Sequence, residues 1–527
     1  MTVAKRHIDS LETSSTKPKR LKGTQNTNNK NMSERNTLIW FRTDLRVRDN
    51  TALHEAAEFA KRGNSVLFGA FVISTEEWKA HDLSSLKVDF MLRNLASLKD
   101  ELTKLNIPLV IERIETPNEV PQGILGICQE YNIDKVFCNR EYEVDEQKRD
   151  EKTDVLLNQN GIEFHLRHDQ CIVEPGLVVT QADKPYTVFT PFKKNWLKKV
   201  GSDKKYHHPL PIPSSFPSAN ASQYKRLFDA KPPLELEEFP LDSEMRKVGT
   251  SLYPEGEAEA HNRLEKFCKK KIQDYDVGRD FPIENGTSVL SPYLAAGVIS
   301  ARQCLTKALN ANENRLVSGN EGVQTWISEL AWRDFYRNVL ISFPRVCKNR
   351  AFKPETENIE WDDDEGKFED WCKGRTGYPI VDAGMRQLNS IGWMHNRLRM
   401  IVAMFLTKDL LINWQKGERY FMNNLVDGDF ASNNGGWQWA ASTGTDSQPY
   451  FRIFNPALQS ERFDKNGDFI RKWIPELKHI KGKAIHEPFK HLSPSEFKKL
   501  GYAKPIVDHS QARQRTLAAF KAIMKKK

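Results

Sequence analysis

The sequence predicts an α/β domain with a parallel sheet, followed by an all-helical domain, and two observations support this fold class. Up to about residue 165, short apolar runs alternate with helical stretches, which is typical of a parallel sheet covered on both faces. Beyond about residue 246 no further strand series appears, and the apolar residues recur every three or four positions. A long connector separates the two domains.

The first segment, residues 1–35, is rich in Ser, Thr, Asn and Lys and has almost nothing to bury, which predicts a disordered tail. It contains two basic groups, Lys5-Arg6 and KPKR (17–20), with ten residues between them. This is the spacing of a two-part nuclear import signal. The tail therefore predicts a nuclear protein, with an additional mitochondrial location left open.

Residues 36–165 form the predicted α/β domain. Its strand candidates are TLIWF (37–41), VLFGAFVI (66–73), PLVIERI (108–114) and KVFCNREY (135–142), and 87–105 has helical spacing. The first strand runs into Arg42-Thr43-Asp44-Leu45 instead of G-x-G-x-x-G, so a nucleotide bound by that fingerprint is not expected here.

Residues 166–245 are Pro-rich and predict an irregular connector that wraps between the domains. The helical domain follows as residues 246–520, with helical spacing at 257–275, 323–343 and 395–414, and a basic end covers 521–527.

The chain has 79 Lys and Arg against 70 Asp and Glu, a formal net charge of +9. Both ends of the chain are strongly basic, so the body between them is close to neutral and a nucleic-acid function has to depend on a local patch. No apolar run reaches the length of a membrane span, and the seven cysteines include no C-x-x-C pair. We therefore expect no membrane segment, no disulfide framework and no metal site.

Tryptophan is concentrated in the helical domain, where nine of the twelve indoles fall between Trp326 and Trp473. The segment VDGDFASNNGGWQWAASTGTD (426–446) surrounds two of them with small, amide and acidic side chains. Buried amides and acids need partners, so this composition predicts a cavity built around a polar heterocycle.

Long motifs extend this pattern: WFRTDLRVRDN, GTSVLSPYLAAGVIS, ELAWRDFYR, YPIVDAGMRQL, GWMHNRLRM and DGDFASNNGGWQWAASTGTD with PYFRIFNP. Together they closely resemble the photolyase/cryptochrome family, and most closely its class I cyclobutane pyrimidine dimer photolyases. The resemblance is collinear from residue 36 to about 520. It implies a Rossmann-like antenna domain and a C-terminal FAD-binding catalytic domain.

The resemblance implies that FAD is held inside the helical domain, with Asn433 facing the flavin N5. An amide there tolerates the anionic reduced flavin, whereas many plant cryptochromes have an acid and insect ones a thiol at this position. The implied FAD-binding residues are Tyr275, Thr287, Ser288, Leu290, Ser291, Trp326, Glu329, Trp393, Asn396, Arg399, Asp427, Gly428, Asp429 and Asn433.

The same resemblance implies a pocket for the dimer and a route for electrons. Glu329, Trp332, Met400, Trp439 and Asn433 would be the catalytic residues. Trp361, Trp414 and Trp437 would form a chain that photoreduces the flavin. DNA contacts would come from Arg279, Glu329, Trp332, Asn396, Arg397, Trp439 and Arg452.

A second chromophore is implied in the cleft between the domains. His81, Asp145, Glu146, Cys347 and Lys348 match the 5,10-methenyltetrahydrofolate site of folate-type members, although Asp145 stands where some relatives have Asn. A deazaflavin antenna is the alternative.

The function implied is light-driven DNA repair by a monomeric carbon–carbon lyase: blue light drives an electron from reduced FAD into a cyclobutane pyrimidine dimer in DNA and splits it. The alternative is a cryptochrome-type photoreceptor without repair activity.

Overall fold

The structure is a computed structural model, and it describes residues 35–524. The predicted tail and its import signal, and the last three residues, lie outside the described residues. No helix in the described part of the chain combines the length and the apolar character needed to cross a membrane.

The N-terminal domain is built on a five-stranded, fully parallel sheet with strand order β3-β2-β1-β4-β5. This is the doubly wound arrangement, so the predicted fold class is confirmed. The strands are β1 Asn36–Phe41, β2 Leu67–Ile73, β3 Leu109–Arg113, β4 Ile133–Asn139 and β5 Glu163–Arg167. The helices are α1 Thr51–Arg62, α2 Thr75–Ala80, α3 Ser85–Lys104, α4 Val120–Glu130 and α5 Val144–Gln159.

The alternation of side chains along β1 shows why the central strands are continuous apolar runs. Ile39 and Phe41 pack into one hydrophobic cluster, and Leu38 and Trp40 pack into a second cluster on the other face. All four side chains are buried because helices cover both faces of the sheet.

Strand β5, EFHLR, is absent from the strand candidates that the sequence indicates. It lies at the edge of the sheet, and its residues are half-buried or exposed. An edge strand lacks the apolar run that marks the central strands, so its sequence does not predict a buried strand.

The connector is more regular than its proline content predicts. It contains α6 Phe189–Gly201, α7 Ala219–Gln223 and α8 Lys225–Asp229, and α9 Ser243–Leu252 follows at its end. Helix α6 forms because Phe192, Trp196 and Val200 recur every four residues and are buried together. The prediction of an irregular segment was wrong here, because the prolines on both sides of α6 obscure this four-residue apolar repeat in the sequence.

The second domain is helical throughout, as predicted, apart from single bridges. In it, α18 continues into a π-helical turn, Phe405–Asp409. The helices are α10 Glu257–Lys270, α11 Tyr275–Gly278, α12 Ser291–Ala295, α13 Ala301–Asn310, α14 Glu321–Ser342, α15 Pro344–Cys347, α16 Glu365–Cys372, α17 Pro379–Ile391, α18 Asn396–Met404, α19 Trp414–Met422, α20 Phe430–Ala441, α21 Pro456–Phe463, α22 Asp468–Trp473, α23 Pro488–His491, α24 Pro494–Leu500 and α25 His509–Met524.

Buried polar contacts tie the two domains together. Lys87 of α3 donates from Nζ to the carbonyl of Gly428, 2.6 Å away. Glu257 of α10 accepts hydrogen bonds from the backbone N–H groups of Val47, at 2.6 Å, and Arg48, at 3.1 Å. These contacts hold the carboxyl ends of the central strands against the helical domain.

Candidate active site

Helix α14 carries the central side chains of the candidate site. Asn320 caps it by accepting a hydrogen bond from the backbone N–H of Val323 at 2.9 Å. Trp326, Glu329 and Trp332 follow at intervals of three residues, which places them on one face of the helix. The sequence spacing therefore determines that these three predicted residues share a wall.

Glu329 pairs with Arg279, with 2.6 Å between Arg279 Nη1 and Glu329 Oε1. The Glu329 side chain remains 32% exposed, so a ligand can reach its carboxyl group. Burial raises the pKa of Glu329, and the charge and hydrogen bond of Arg279 oppose that shift. The resemblance implies that both residues contact DNA, and the structure joins them as one pair.

Trp332 is held by aromatic stacking against the connector. Its ring lies 3.6 Å from that of Phe189 at an interplanar angle of 9°, and Tyr336 stacks at 5.5 Å. The backbone N–H of Phe189 donates to Asp446 at 3.0 Å, which fixes the connector to the loop after α20. Because Trp332 is stacked on its neighbours, its partly buried ring is held in one orientation.

Helix α18 contributes the polar and sulfur-bearing part of the pocket. His395 caps the helix by accepting from the backbone N–H of Arg397, and burial is the main cause that lowers the pKa of His395 to about 4. Asn396 and Arg397 both direct side-chain nitrogens at the sulfur of Met400, at 3.9 and 3.8 Å. Arg397 also binds Asp280 at 2.6 Å.

Arg452 differs from the other two arginines predicted to contact DNA. It is exposed, and it makes no ion pair with any residue between 35 and 524. Arg279 and Arg397 are already neutralised in part by Glu329 and Asp280. Arg452 therefore presents a guanidinium group that has no carboxylate partner in residues 35–524.

The segment 427–429 forms a second ionic region. Arg399 donates from Nη2 to both carboxylate oxygens of Asp427, at 2.8 and 3.0 Å. Asp429 caps α20 and pairs with Arg337. Burial alone would raise the pKa of Asp429, but the guanidinium groups of Arg337 and Arg333 hold this pKa well below its ordinary value.

Asn433 is oriented by Glu418, a residue that the sequence analysis did not select. The Asn433 side-chain nitrogen Nδ2 donates to the carbonyl and to Oε1 of Glu418, at 3.0 and 3.1 Å. Two acceptors fix the amide nitrogen, so the amide oxygen is left without a hydrogen bond to residues 35–524 and is available to a ligand. Glu418 is buried, and this burial raises its pKa to about 7.

The loop before α12 has the geometry of a tight backbone cradle. Val289 has φ +50°, which is strained for a β-branched residue. A Cβ on Gly286 would lie 2.4 Å from the carbonyl oxygen of Gly278, so only glycine fits there. Trp393 donates from Nε1 to the hydroxyl of Ser291 at 3.2 Å, which brings this loop to the start of α18.

These features fit an FAD molecule. The hydroxyls of Thr287 and Ser288 make no hydrogen bond to other residues in the part of the chain that the structure describes, so they are available to a ligand. Hydroxyl donors in the loop, the Arg399–Asp427 pair and an oriented Asn433 amide are the donor set that phosphates and a flavin ring require. Tyr275, Trp326 and Leu290 are buried around them.

The three tryptophans of the predicted electron chain lie on connected elements. The ring of Trp437 packs so closely on α19 that a Cβ on Gly417 would be 2.2 Å from its Cη2. Trp414 is the first residue of α19 and is buried. Trp361 is half-buried and precedes a β-bridge that joins residues 362 and 412. Helix α19 and this bridge therefore link all three.

A cleft of about 530 Å³ between the domains holds most of the predicted antenna residues. His81, Asp145, Glu146 and Cys347 line it, whereas Lys348 is exposed outside the lining. Glu418 lines the same cleft, so the cleft reaches the residue that orients the Asn433 amide.

His81 lies 3.0 Å from Glu146 in this cleft. Burial would lower the pKa of His81, but the hydrogen bond and charge of Glu146 outweigh it and raise the pKa to about 9. The Cys347 thiol accepts a hydrogen bond from the Val144 backbone at 3.2 Å, and burial raises its pKa to about 12. The cleft thus contains a protonated imidazole and an un-ionised thiol at neutral pH.

Phe189, Glu418 and Gly417 were missed by the sequence analysis. Phe189 lies in the connector, where the many prolines predict irregular structure and not a helix. Glu418 and Gly417 look like ordinary positions of an amphipathic helix. Glu418 and Gly417 act in the site only because α19 packs closely on α20, and a single sequence does not indicate this packing.

Two family models match the chain. The one described as "DNA photolyase" covers residues 37–214, and the one described as "FAD binding domain of DNA photolyase" covers residues 326–522. The first range covers the sheet domain and part of the connector, and the second runs from within α14 to α25.

Curated relatives match across nearly the whole chain. The deoxyribodipyrimidine photo-lyase of Neurospora crassa is 46% identical over 496 residues, which is 92% of this chain and 81% of the relative. That of Vibrio cholerae is 43% identical and covers 92% of this chain and 99% of the relative.

The crystal structure of a bacterial class III photolyase from Agrobacterium tumefaciens superposes with a TM-score of 0.79. It is 33% identical, and the match covers 95% of this chain and all of that one. The identity, the coverage and the two family models lead to one conclusion: the chain belongs to the DNA photolyase family, and its helical domain is the FAD-binding domain of that family.

Proposed function

We propose that the chain is a light-driven DNA-repair lyase that splits cyclobutane pyrimidine dimers into monomeric pyrimidines. The observation that carries this proposal is the partly exposed Glu329–Arg279 pair, which lies one turn of α14 from the stacked ring of Trp332. A hydrogen-bonding acid beside an aromatic face suits a pair of joined bases. The relatives from Neurospora crassa and Vibrio cholerae, both deoxyribodipyrimidine photo-lyases, agree with it.

FAD would be held by the loop before α12, by the Arg399–Asp427 pair and by Asn433. When bound in its reduced form, FAD supplies the electron that blue light transfers into the dimer and that returns after both cyclobutane bonds break. The protein orients this group: Asn433 cannot turn its amide nitrogen away from Glu418 without losing two hydrogen bonds.

Glu329 serves the substrate. Because burial raises its pKa, the carboxyl holds a proton more readily than an exposed glutamate and can donate a hydrogen bond to a pyrimidine carbonyl. Negative charge develops on that carbonyl when the dimer accepts an electron, so the hydrogen bond strengthens in step with the reaction. Trp332 and Met400 provide the aromatic and polarisable surfaces against which the bases pack.

The test is repair by purified protein loaded with reduced FAD. An oligonucleotide with one thymine dimer is illuminated with blue light, and the restored monomers are quantified against a dark control. We expect repair by the parent protein, and a sharp loss in Glu329→Ala while FAD remains bound. A parent protein that binds FAD but restores no monomers would contradict the proposal and favour a photoreceptor role.

The cleft between the domains is proposed as the site of a 5,10-methenyltetrahydrofolate antenna. The protonated His81 paired with Glu146 and the volume of about 530 Å³ support a folded aromatic ligand with ionisable groups. The absorption spectrum of the purified protein shows which antenna chromophore is bound. A near-ultraviolet folate band that is lost in His81→Ala supports it, and a deazaflavin band or no antenna band contradicts it.

Nuclear import by residues 1–35 is a further proposal, supported by the spacing of Lys5-Arg6 and KPKR (17–20). The segment fused to a fluorescent protein should accumulate in nuclei. Replacing both basic groups by Ala should abolish this accumulation, and unchanged accumulation would refute the signal.

A further inference from the structure

Helix α6 of the connector presents a row of lysines that no function described so far explains. Its buried face consists of Phe192, Trp196 and Val200, so packing accounts for the apolar residues only. Lys194 and Lys198 are exposed, one helical turn apart on the opposite side. The basic side chains of α6 and the residues after it are Lys193, Lys194, Lys198, Lys199, Lys204 and Lys205, with Asp203 as the only acid among residues 189–208.

These charges are mostly uncompensated. Lys205 pairs with Asp203 at 3.4 Å, whereas Lys194 and Lys198 have no carboxylate within ion-pair distance anywhere in residues 35–524. Some other exposed lysines of the described residues do have an acidic partner, as Lys225 does with Asp229 on α8. An unpaired row concentrates positive potential on one surface.

The row begins at the edge of the active-site pocket. Phe189, the first residue of α6, stacks on Trp332, and Lys193 donates from Nζ to the hydroxyl of Ser328 at 3.0 Å, next to Glu329. Thr445 donates to the carbonyl of Thr187 at 2.7 Å, which anchors the connector just before the helix. Helix α6 is therefore rigidly attached to the pocket wall.

Geometry determines how far the row extends. At about 1.5 Å per residue, the 13 residues of α6 span roughly 20 Å away from the pocket edge. Duplex DNA carries one negative charge per about 1.7 Å of its axis, so a helix of this length passes several phosphates. Lysine is a flexible point charge suited to phosphate contacts that do not read sequence.

We propose that α6 is a DNA-binding helix whose exposed lysines Lys194 and Lys198 contact backbone phosphates of the duplex flanking the dimer. The inference depends on the proposed function, because it takes the occupant of the adjoining pocket to be a dimer in DNA. In this proposal the lysines of α6 bind DNA together with the arginines of the helical domain. The DNA that flanks the dimer then contributes affinity but no specificity for the lesion.

The test compares two double variants of the full-length, FAD-loaded chain. Lys194→Gln/Lys198→Gln removes the row, and glutamine preserves helix propensity. The matched control, Lys498→Gln/Lys499→Gln, removes two exposed and unpaired lysines from α24, which packs on α23. Each protein is titrated over a range of salt with two probes, a dimer in a duplex of about ten base pairs on each side and a dimer in a short single strand with no flanks.

For the α6 variant we expect roughly tenfold weaker binding to the duplex probe and a slope of log K against log salt that is shallower by about 1 to 2, since each phosphate contact contributes about 0.9. Binding to the short probe should stay within about twofold of the parent, and the control variant should match the parent on both probes.

Three results would overturn the inference. The α6 variant could bind the duplex with the same slope of log K against log salt as the parent protein. It could also lose affinity equally for both probes, or the control variant could lose as much affinity as the α6 variant. Failure of the proposed function is recognised separately, because a parent protein that binds the duplex but repairs no dimer contradicts the repair role and leaves the salt slope measurable.

Discussion

At the scale of single residues, the site works through pairs that a linear pattern does not show. Glu329 is tuned by Arg279, and the Asn433 amide is oriented by Glu418. In each pair one partner stands in a recognisable motif and the other comes from a different helix. The motif residue supplies the chemistry, and its partner determines the protonation or orientation that makes the chemistry available.

The protonation state of Glu329 should appear in the pH profile of repair. Because its pKa is raised, the donating form is present at low pH and is lost as the pH rises through that pKa. Glu329→Gln carries a permanent donor, so we expect repair by this variant to be flat where the parent declines. Initial repair rates at saturating DNA across the pH range measure this.

The reference for that profile is Glu329→Ala, which has no donor at any pH. Loss of a hydrogen bond to a charged group costs about 1.5–3 kcal/mol, which is roughly a 10- to 150-fold loss of rate. If the glutamine variant declined with the same pH dependence as the parent, the titrating group would be another residue.

Trp361 gives a second prediction at this scale. Its half-buried ring is the outermost of the three linked indoles. Trp361→Phe should prevent photoreduction of the oxidised protein, because phenylalanine is far harder to oxidise, and leave repair by pre-reduced protein nearly intact. Flavin absorbance under illumination and monomer yield are the two readouts.

Trp473→Phe is the matched control for this substitution. Trp473 is also half-buried, and its indole N–H makes no hydrogen bond within residues 35–524, so phenylalanine removes none. Equal photoreduction in the Trp361 variant and this control would rule out Trp361 as a donor.

At the scale of elements, the close approach of α19 and α20 holds the inner tryptophan in place. Gly417 allows the ring of Trp437 to rest on the backbone of α19, and Leu406 also packs against the glycine. Such contacts have little freedom to adjust, because protein interiors are packed as densely as organic crystals.

Gly417→Ala should therefore displace the Trp437 ring. Its Cβ would lie 2.2 Å from Cη2 of Trp437 and 2.6 Å from a methyl of Leu406. We expect a free energy of unfolding lower by about 1–3 kcal/mol and slower photoreduction. Chemical denaturation and flavin absorbance under illumination measure the two effects.

Gly436→Ala provides the control in the neighbouring helix, one residue before Trp437. A Cβ there meets nothing within 4 Å, and alanine favours the helix by about 0.5–1 kcal/mol. A Gly417 variant as stable and as readily photoreduced as this control would show that the packing is not tight.

At the scale of the whole molecule, the cleft between the domains makes stability depend on pH. The pKa of His81 is about 9 in the folded protein against an ordinary 6.5. Glu146, Glu77 and Glu143 supply the negative charge around it. A group whose folded pKa is raised stabilises the fold fully below its unfolded pKa and loses that contribution as the pH rises through the folded value.

His81→Gln should thus be less stable than the parent by about 1–2 kcal/mol at pH 6, because the pair is partly screened by solvent. The difference should shrink between pH 6.5 and about 9 and vanish above that. Urea unfolding of both proteins across this range measures it. A difference that does not change with pH would mean that His81 contributes by packing alone.

The sequence predicts the fold class, the two domains and most side chains of the site, because these depend on apolar periods and long local motifs. It does not predict edge strand β5, whose residues lack an apolar run, or helix α6, which lies among prolines. Nor does it predict Glu418 or Phe189 as site residues, since their roles depend on the packing of distant segments.

The stacking of Phe189 on Trp332 has a practical consequence for anyone who divides this gene into parts. A fragment that starts at residue 246 would encode every recognisable motif of the helical domain and still lack one aromatic wall of its own pocket. Swapping antenna domains between relatives at that boundary would likewise exchange a piece of the substrate site. The segment to carry over with the catalytic half begins near residue 170, upstream of α6, because the backbone N–H groups of Ile172 and Val173 already donate to Asp334 of α14.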